Sequence, residues 1–327
     1  MNAIGVDVDS KLLVCRIQRG SQRQPIAEFD NNPIGFGKFI RWATKRRQPA
    51  RVTMEATGVY SLPFALSLHQ VPGIEVSVVN PRAIKNFAVA RMQRGKTDAL
   101  DATAILEYNL RMDFRPWCPP REELLELQHI TRRVVQLNKE LTRERNRHKA
   151  ASRLGVIGRV VANDTAVNMR HLQRRIDTME QAAWEIVSHD PLLKPKLDLL
   201  VSITGIARKT GPRILAELAV LPDDMIGPQW VAHAGLDPRP NESGTSTKKP
   251  RRISKAGNRY IREALFFPAL VACQKDKHVK AFYEKLLAKG KKPMQAIVAI
   301  MRKLLLAIWG MFKSGTTWDG AKFYKIA

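Results

Sequence analysis

The 327-residue chain is long enough for two or three domains with real cores, and its 55 Lys and Arg outnumber 30 Asp and Glu to give a net charge of +25. Such an excess implies a polyanionic partner, either nucleic acid or an anionic membrane surface. No apolar run approaches the ~20 residues that span a bilayer, and Met1-Asn2-Ala3-Ile4 lacks a basic region and a signal core, so the expectation is a cytoplasmic protein with no membrane partner. The excess is uneven, with net charges of +7 over residues 1–115, +4 over 116–195 and +14 over 196–327. Cys15, Cys118 and Cys273 lack the spacing of a zinc site or a disulfide framework and read as buried or indifferent thiols.

Residues 3–8, 12–18 and 25–30 read as three short strands, with a turn over 20–25. A helix over 33–47, a strand over 52–56, a helix over 60–70, a strand over 74–79 and a helix opened by Pro81 follow. The order β-β-β-α-β-α-β-α predicts an α/β layer domain and matches the ribonuclease H-like fold by analogy of order. Pro116-Trp117-Cys118-Pro119-Pro120 reads as a linker. Over 121–153 the apolar residues Leu124, Leu127, Ile130, Val134, Leu137 and Leu141 form a narrow seam, and a second helix over 165–188 carries Met169, Leu172, Ile176, Met179 and Ile186. The two read as an antiparallel coiled-coil hairpin, with Gly155, Gly158 and Asn163-Asp164 at its turn; two helices of an ordinary bundle fit almost as well. From Pro191 a mostly helical domain is expected. It holds a helix–turn–helix around Thr204-Gly205-Ile206-Ala207, a loop over 236–257, and helices near 258–273, 278–289 and 293–313. The turn suits tight packing and phosphate capture about equally.

Four acids stand out. Asp7 and Glu55 close apolar strand patterns, and Asp98 and Asp101 share one face of a helix start. A lone acid is usually a solvated charge. Here three of the four abut apolar patterns, where an unpaired charge is costly unless a cation neutralises it, so the quartet reads as a site for a hard divalent cation. Asp9 competes as a ligand, with solvent the favoured place for it. In a chain this basic, the pattern points to metal-dependent cleavage or transfer at a nucleic-acid phosphate. From Ser243 to Arg262 there is no acid and there are seven cations, Lys248, Lys249, Arg251, Arg252, Lys255, Arg259 and Arg262, which read as nucleic-acid-binding. On chemistry alone, Ser243 binds phosphate more readily than it attacks it, because a serine nucleophile needs activation.

Gly5-Val6-Asp7, Met54-Glu55-Ala56-Thr57-Gly58, Asn80-Pro81, Lys96-Thr97-Asp98-Ala99-Leu100-Asp101-Ala102, Ala234-Gly235-Leu236-Asp237-Pro238, Glu242-Ser243-Gly244 and Ser254-Lys255-Ala256-Gly257 follow one another in order. This series resembles the DEDD transposases of the insertion-sequence one-ten family, relatives of the pilin-gene invertase, over almost the whole chain. The resemblance implies three parts: a RuvC-like domain (1–115) holding Mg²⁺ through Asp7, Glu55, Asp98 and Asp101, a coiled coil (116–190) that drives assembly into a homo-oligomer, dimer or tetramer, and a C-terminal transposase domain (191–327) with Ser243 as nucleophile. It further implies donor and target DNA as substrates and a structured non-coding bridge RNA as guide. Two rivals fit the residues: a RuvC-like Holliday-junction resolvase or nuclease that activates water, and a non-enzymatic RNA-binding protein.

Overall fold

The computed structural model describes residues 1–92, 95, 97–239, 242–243, 247–248 and 252–326, excepting the side chains of 242, 243, 247 and 248. Two compact units, Met1–Pro119 and Pro120–Ala327, make up the chain.

The first unit is a layered α/β structure. Its strands are β1 (Asn2–Val8), β2 (Leu12–Arg19), β3 (Gln22–Arg23), β4 (Ala27–Asp30), β5 (Ala50–Glu55) and β6 (Ile74–Val79). They form one sheet in the order β3-β2-β1-β5-β6, with β4 also pairing β2. β1 runs antiparallel to β2 and parallel to β5, which is parallel to β6. The predicted turn over 20–25 hides the short strand β3. Gly20, at φ +57°, reverses the chain so tightly that Gln22 and Arg23 pair back onto β2 at once. The helices are α1 (Pro33–Ala43), α2 (Leu62–His69), α3 (Pro81–Ala90) and α4 (Asp98–Arg111). Asn32 and Asn80 cap α1 and α3 through their side chains, each just ahead of a proline. The helix expected over 33–47 breaks after Ala43, since Arg46 adopts φ +63°, and only a 3-10 turn continues it.

Alternation along β1 sorts the two faces of the sheet. Ile4 and Val6 are buried with Phe36, Phe39 and Phe64 from α1 and α2, where Phe39 and Phe64 meet edge-on with ring centres 5.0 Å apart. Gly5 belongs to the other face, which α4 covers. Glu107 of α4 is fully buried, with Arg91 Nη1 at 2.9 Å and Arg111 Nε at 2.7 Å from its Oε2, and with Arg23 of β3 as a third ion-pair partner. Burial works to raise this carboxyl's pKa, but the hydrogen bond from Arg111 and the charges of Arg23, Arg91 and Arg111 outweigh it and hold the group below its ordinary value.

The second unit is helical: α5 (Glu122–Ser152), α6 (Arg159–His189), α7 (Leu193–Val201), α8 (Gly211–Leu218), α9 (Gly227–Ala234), α10 (Arg259–Lys275), α11 (Lys277–Ala288), α12 (Pro293–Ser314) and α13 (Gly320–Phe323). Among the described residues, four two-residue strands lie between α9 and α10: β7 (Pro238–Arg239), β8 (Glu242–Ser243), β9 (Thr247–Lys248) and β10 (Arg252–Ile253). In the α5–α6 hairpin Val134, Leu137 and Leu141 pack with Leu172 and Ile176, so the predicted seam is filled from within the chain. Asn163 and Asp164 lie inside α6 rather than at the turn. Gly155, at φ +59°, and the close fit of Gly158 against Ala151 complete the reversal before Arg159. Leu124 and Leu127 join a larger core with α7 to α12. By length and composition α12 is apolar enough to cross a membrane, which the sequence reading overlooked. It is an interior helix of this unit: Ile300, Leu304, Leu305 and Ile308 are essentially inaccessible. Cys15 and Cys273 are buried and Cys118 exposed, all as free thiols.

Glu107→Ala is expected to lower stability by about 3–5 kcal/mol, the effect of breaking a buried charge cluster. A carboxyl whose pKa falls on folding stabilises above its unfolded pKa and loses that contribution as pH drops through the folded value. Urea unfolding against pH therefore checks the assignment: the variant should lack the part of the acid loss seen below the ordinary glutamate range in the unsubstituted protein.

Candidate active site and nucleic-acid interface

α4 approaches β1 backbone to backbone. A Cβ on Gly5 would stand 2.1 Å from the Leu106 nitrogen and 2.6 Å from the Ala102 carbonyl oxygen, so the motif's glycine is what admits the helix. Asn109, nearly buried, donates from Nδ2 to the carbonyls of Ile4 (3.1 Å) and Arg51 (3.0 Å) and locks the far end of α4 across β1 and β5. With Asn109 near Ile4, and Ala102 to Leu106 over Gly5, α4 runs against the strand direction. Its first turn therefore extends towards the strands' C-terminal ends.

Those ends carry Asp7 and Glu55. The β1–β5 register runs through Val6 opposite Met54, and Asp7 and Glu55 are the next residues in step. Asp7 shares its sheet face with Gly5 two residues earlier, the face that α4 covers. Both acids are half-buried. Asp98 (exposed) and Asp101 (half-buried) lie in the first turn of α4, where Thr97 caps the helix by accepting from the Leu100 N–H at 3.2 Å. Acids there also suit the helix's own positive end. The fold thus brings all four predicted residues towards one end of the sheet. Their donor chemistry, carboxylate oxygens only, fits a hard divalent cation. As placed, no three His, Cys, Asp or Glu among the described residues are gathered closely enough to hold an ion. Asp9 is exposed and hydrogen-bonded by Ser10 Oγ at 3.2 Å.

In the second unit the described residues of the predicted loop over 236–257 form an arm of two antiparallel pairs. β7 pairs β10 at its base and β8 pairs β9 further out, with Ser243 opposite Thr247 and Glu242 opposite Lys248. Lys249 and Arg251, and the side chains of Ser243 and Lys248, lie outside the described residues. Below the arm, two motif segments clasp each other. Ser254 N–H donates to the Asp237 carbonyl (2.9 Å), Lys255 N–H to the Gly235 carbonyl (3.0 Å) and Asn258 N–H to the His233 carbonyl (2.7 Å). Gly235 ends α9 at φ +65°, and a Cβ on Gly257 would lie 2.1 Å from the His233 oxygen. Of the predicted nucleic-acid residues, Arg252, Lys255 and Arg259 are exposed, with Arg259 stacked 5.0 Å from the Tyr260 ring centre. Arg262 is half-buried and donates to the carbonyls of Ala234 (2.7 Å) and Gly257 (3.3 Å), so it holds the clasp as well.

Sequence reasoning missed the support beneath. Glu217 of α8 is buried and accepts two hydrogen bonds from Arg132 of α5 (2.7 and 2.9 Å) and one from Asn258 Nδ2 (2.6 Å). Asn258 in turn caps α10 through the Tyr260 and Ile261 N–H groups. These partners lie 41 and 85 residues apart in the chain, beyond any local pattern. The turn over 204–207 resolves as packing. A Cβ on Gly205 would meet the Pro268 oxygen at 2.7 Å. The N–H groups of Ile206, Ala207, Thr210 and Gly211 all bond within the turn.

Residues 4–152 match a transposase family model of the DEDD IS110 type, and residues 197–284 match the transposase IS116/IS110/IS902 family. The chain is 28% identical over 324 residues to the pilin gene-inverting protein of Moraxella bovis, covering 97% of each chain, and equally so to that of Moraxella lacunata. It is 25% identical over 125 residues to the IS110 insertion element 43.6 kDa protein of Streptomyces coelicolor, covering 38% of this chain and 31% of the relative.

Gly5→Ala should force α4 off the sheet, at a cost of about 1–3 kcal/mol for overpacking. Amide hydrogen exchange checks it: protection should fall across α4 while the α5–α6 hairpin keeps its own.

Proposed function

This chain belongs to the IS110 family of transposases and is a DNA transposase or recombinase, and on that premise we propose that it cuts and rejoins DNA through a phosphoserine link on Ser243, with Mg²⁺ held by Asp7, Glu55, Asp98 and Asp101. The observation that most supports this reading is the antiparallel seating of α4 on β1, which aims the helix's acidic first turn at the strand ends bearing Asp7 and Glu55. We read the first unit as RNase H-like and RuvC-like on its order of an antiparallel meander followed by two parallel strands. The α5–α6 hairpin is read as a coiled coil. The functional parts follow 1–115, 116–190 and 191–327.

Ser243 Oγ, losing its proton, bonds to phosphorus as the 3′-oxygen leaves and takes up a proton. The strand stays attached to the protein and a free 3′-hydroxyl is released. A partner strand's 3′-hydroxyl then attacks the same phosphorus and restores the serine. Mg²⁺ bound by the carboxylates supplies charge neutralisation at the phosphoryl oxygens and a lowered pKa for an oxygen nucleophile. The exposed cations Arg252, Lys255 and Arg259 grip backbone phosphate. Donor and target DNA are chosen by pairing with a structured bridge RNA, in the cytoplasm, by a dimer or tetramer of this chain. The hairpin's seam is already filled, so assembly uses other surfaces, such as the exposed Leu154, Val156 and Ile157 at its turn.

Asp98→Ala and Asp101→Ala should each abolish strand cleavage in Mg²⁺ while leaving the melting temperature near that of the unsubstituted protein. Near-normal cleavage by both would remove the carboxylate site.

Ser243→Ala should lose both recombination and the protease-sensitive protein–DNA adduct yet still bind nucleic acid, whereas Ser246→Ala should keep the adduct. An adduct that persists in Ser243→Ala and maps elsewhere by mass spectrometry would move the nucleophile. Cleavage without any adduct in the unsubstituted protein would favour a nuclease that activates water.

A further inference from the structure

A groove of about 490 Å³ opens between α5, α6 and the start of α8, lined among others by Asp177, Glu180, Trp184, Arg208, Lys209 and Arg213. Arg213 is its anomaly. This guanidinium is half-buried, its Nε is inaccessible and without a hydrogen-bond partner, and among the described residues no carboxylate pairs with it. The acids whose charges reach it are already engaged: Glu180 with Lys209 at 3.1 Å and Glu263 with Lys139 at 2.9 Å. Burial accordingly pushes the Arg213 pKa down, with Glu263 and Glu180 only partly opposing. Arg213 also sits in the first turn of α8, which holds no acid, and Arg208 and Lys209 lie just before it. Cations at a helix's positive end are unfavourable. Folding therefore maintains a partly desolvated cation, beside two exposed ones, where both burial and the helix field oppose it. Such a residue adds no electrostatic stability to the free chain, and an anion in the groove offsets the cost of holding the charge partly out of water and against the helix field. Beside it Arg208 lies flat over Trp184, 4.3 Å from the ring centre, a planar cation oriented by stacking.

We propose that this groove is a nucleic-acid site separate from the arm: it takes a backbone phosphate, with Arg213 as the buried anchor and Arg208 and Lys209 at the rim. Guanidinium forks match phosphate oxygens bidentately, which favours this occupant over a mobile counterion. The proposal rests on the reading that the second unit grips nucleic acid, and it adds a contact that the basic run over 248–262 does not supply.

The test uses the full chain carrying Arg213→Met, with labelled duplex DNA and labelled single-stranded RNA as probes. Without nucleic acid the variant should melt at a higher temperature, because an unpaired buried charge has been removed. It should bind at least one probe about three- to tenfold more weakly, with the salt dependence shallower by ~0.7–0.9, one phosphate contact. Unchanged affinity and slope on both probes would overturn the proposal. A lower melting temperature would also overturn it, by making Arg213 a structural ion-pair member. Saturable binding of inorganic phosphate with unaltered nucleic-acid affinity would mean a free-anion site, and a changed assembly mass with unaltered affinity would mean a carboxylate from a second copy; either result overturns it. Neutralising Lys248, Lys249, Arg251 and Arg252 together separates the two levels. If that variant weakens binding and Arg213→Met does not, only the groove fails; if neither weakens it, the nucleic-acid reading of the second unit fails too.

Discussion

The contact on which the first unit depends is between two backbones. α4 lies on β1 at a distance that only glycine at position 5 permits, and this sets where the helix's acidic turn stands relative to the strand ends. Side-chain packing alone leaves a helix freer to slide over a sheet. Here Asn109 fixes the slide by bonding carbonyls of two adjacent strands, and Glu107 fixes the rotation through arginines from β3, from the C-terminal boundary of α3 and from α4 itself. These restraints lie deep in the unit while the acids lie towards its edge. A carboxylate array has little stability of its own, since like charges repel, so its geometry must be imposed by neighbours that do not take part in the chemistry.

The second unit solves a related problem differently. Among the described residues the strands of its arm are two residues long, too short to hold a position by ladder hydrogen bonds. Position is imposed at the root. The segments around Gly235 and Gly257 cross close enough that neither tolerates a Cβ without displacement, and Arg262 and Asn258 tie the crossing to α9, α8 and α10. The motifs Ala234-Gly235-Leu236-Asp237-Pro238 and Ser254-Lys255-Ala256-Gly257, more than fifteen residues apart, are thus the two halves of one backbone clasp. Lys255 takes φ +51° inside it, a left-handed conformation that a free loop would avoid.

What was legible in the sequence follows from the range of the forces involved. Strand alternation, proline at helix starts and asparagine caps act over a few residues, and apart from β3 and the end of α1 the strands and helices over 2–90 are close to where the pattern placed them. The acidic helix start was readable because Asp98 and Asp101 sit at helical spacing behind a capping threonine. Features that failed to show were set by distant partners or by single dihedrals. β3 depends on Gly20, the break in α1 on Arg46, and the early start of α6 on a turn closed by Gly155 and Gly158. Asn163 and Asp164 look like turn residues, but propensity is a weak prior once a helix pair can pack. α12 is where the pattern placed a helix, but its apolarity over a bilayer-spanning length is masked in the sequence by Arg302 and Lys303. The Glu217 support was invisible, since no local period links residues on α5, α8 and the start of α10.

Charge accounting sharpens what the composition implies. In the second unit several acids are already ion-paired: Glu217 with Arg132, Asp190 with Arg121, Glu180 with Lys209 and Glu263 with Lys139. Each pairing removes one negative charge from the outward field and fixes one cation, and cations still outnumber acids over this unit. A field of one sign weakens the folded state through self-repulsion and gains in return the long-range attraction of a polyanion. Arg213 carries this logic inward. Its carboxylate neighbours are paired with lysines that solvent could have served, while among the described residues the half-buried guanidinium is left without one. An arrangement optimised for the isolated chain would pair them the other way round, so the free protein is better read as one half of a charge balance that nucleic acid completes.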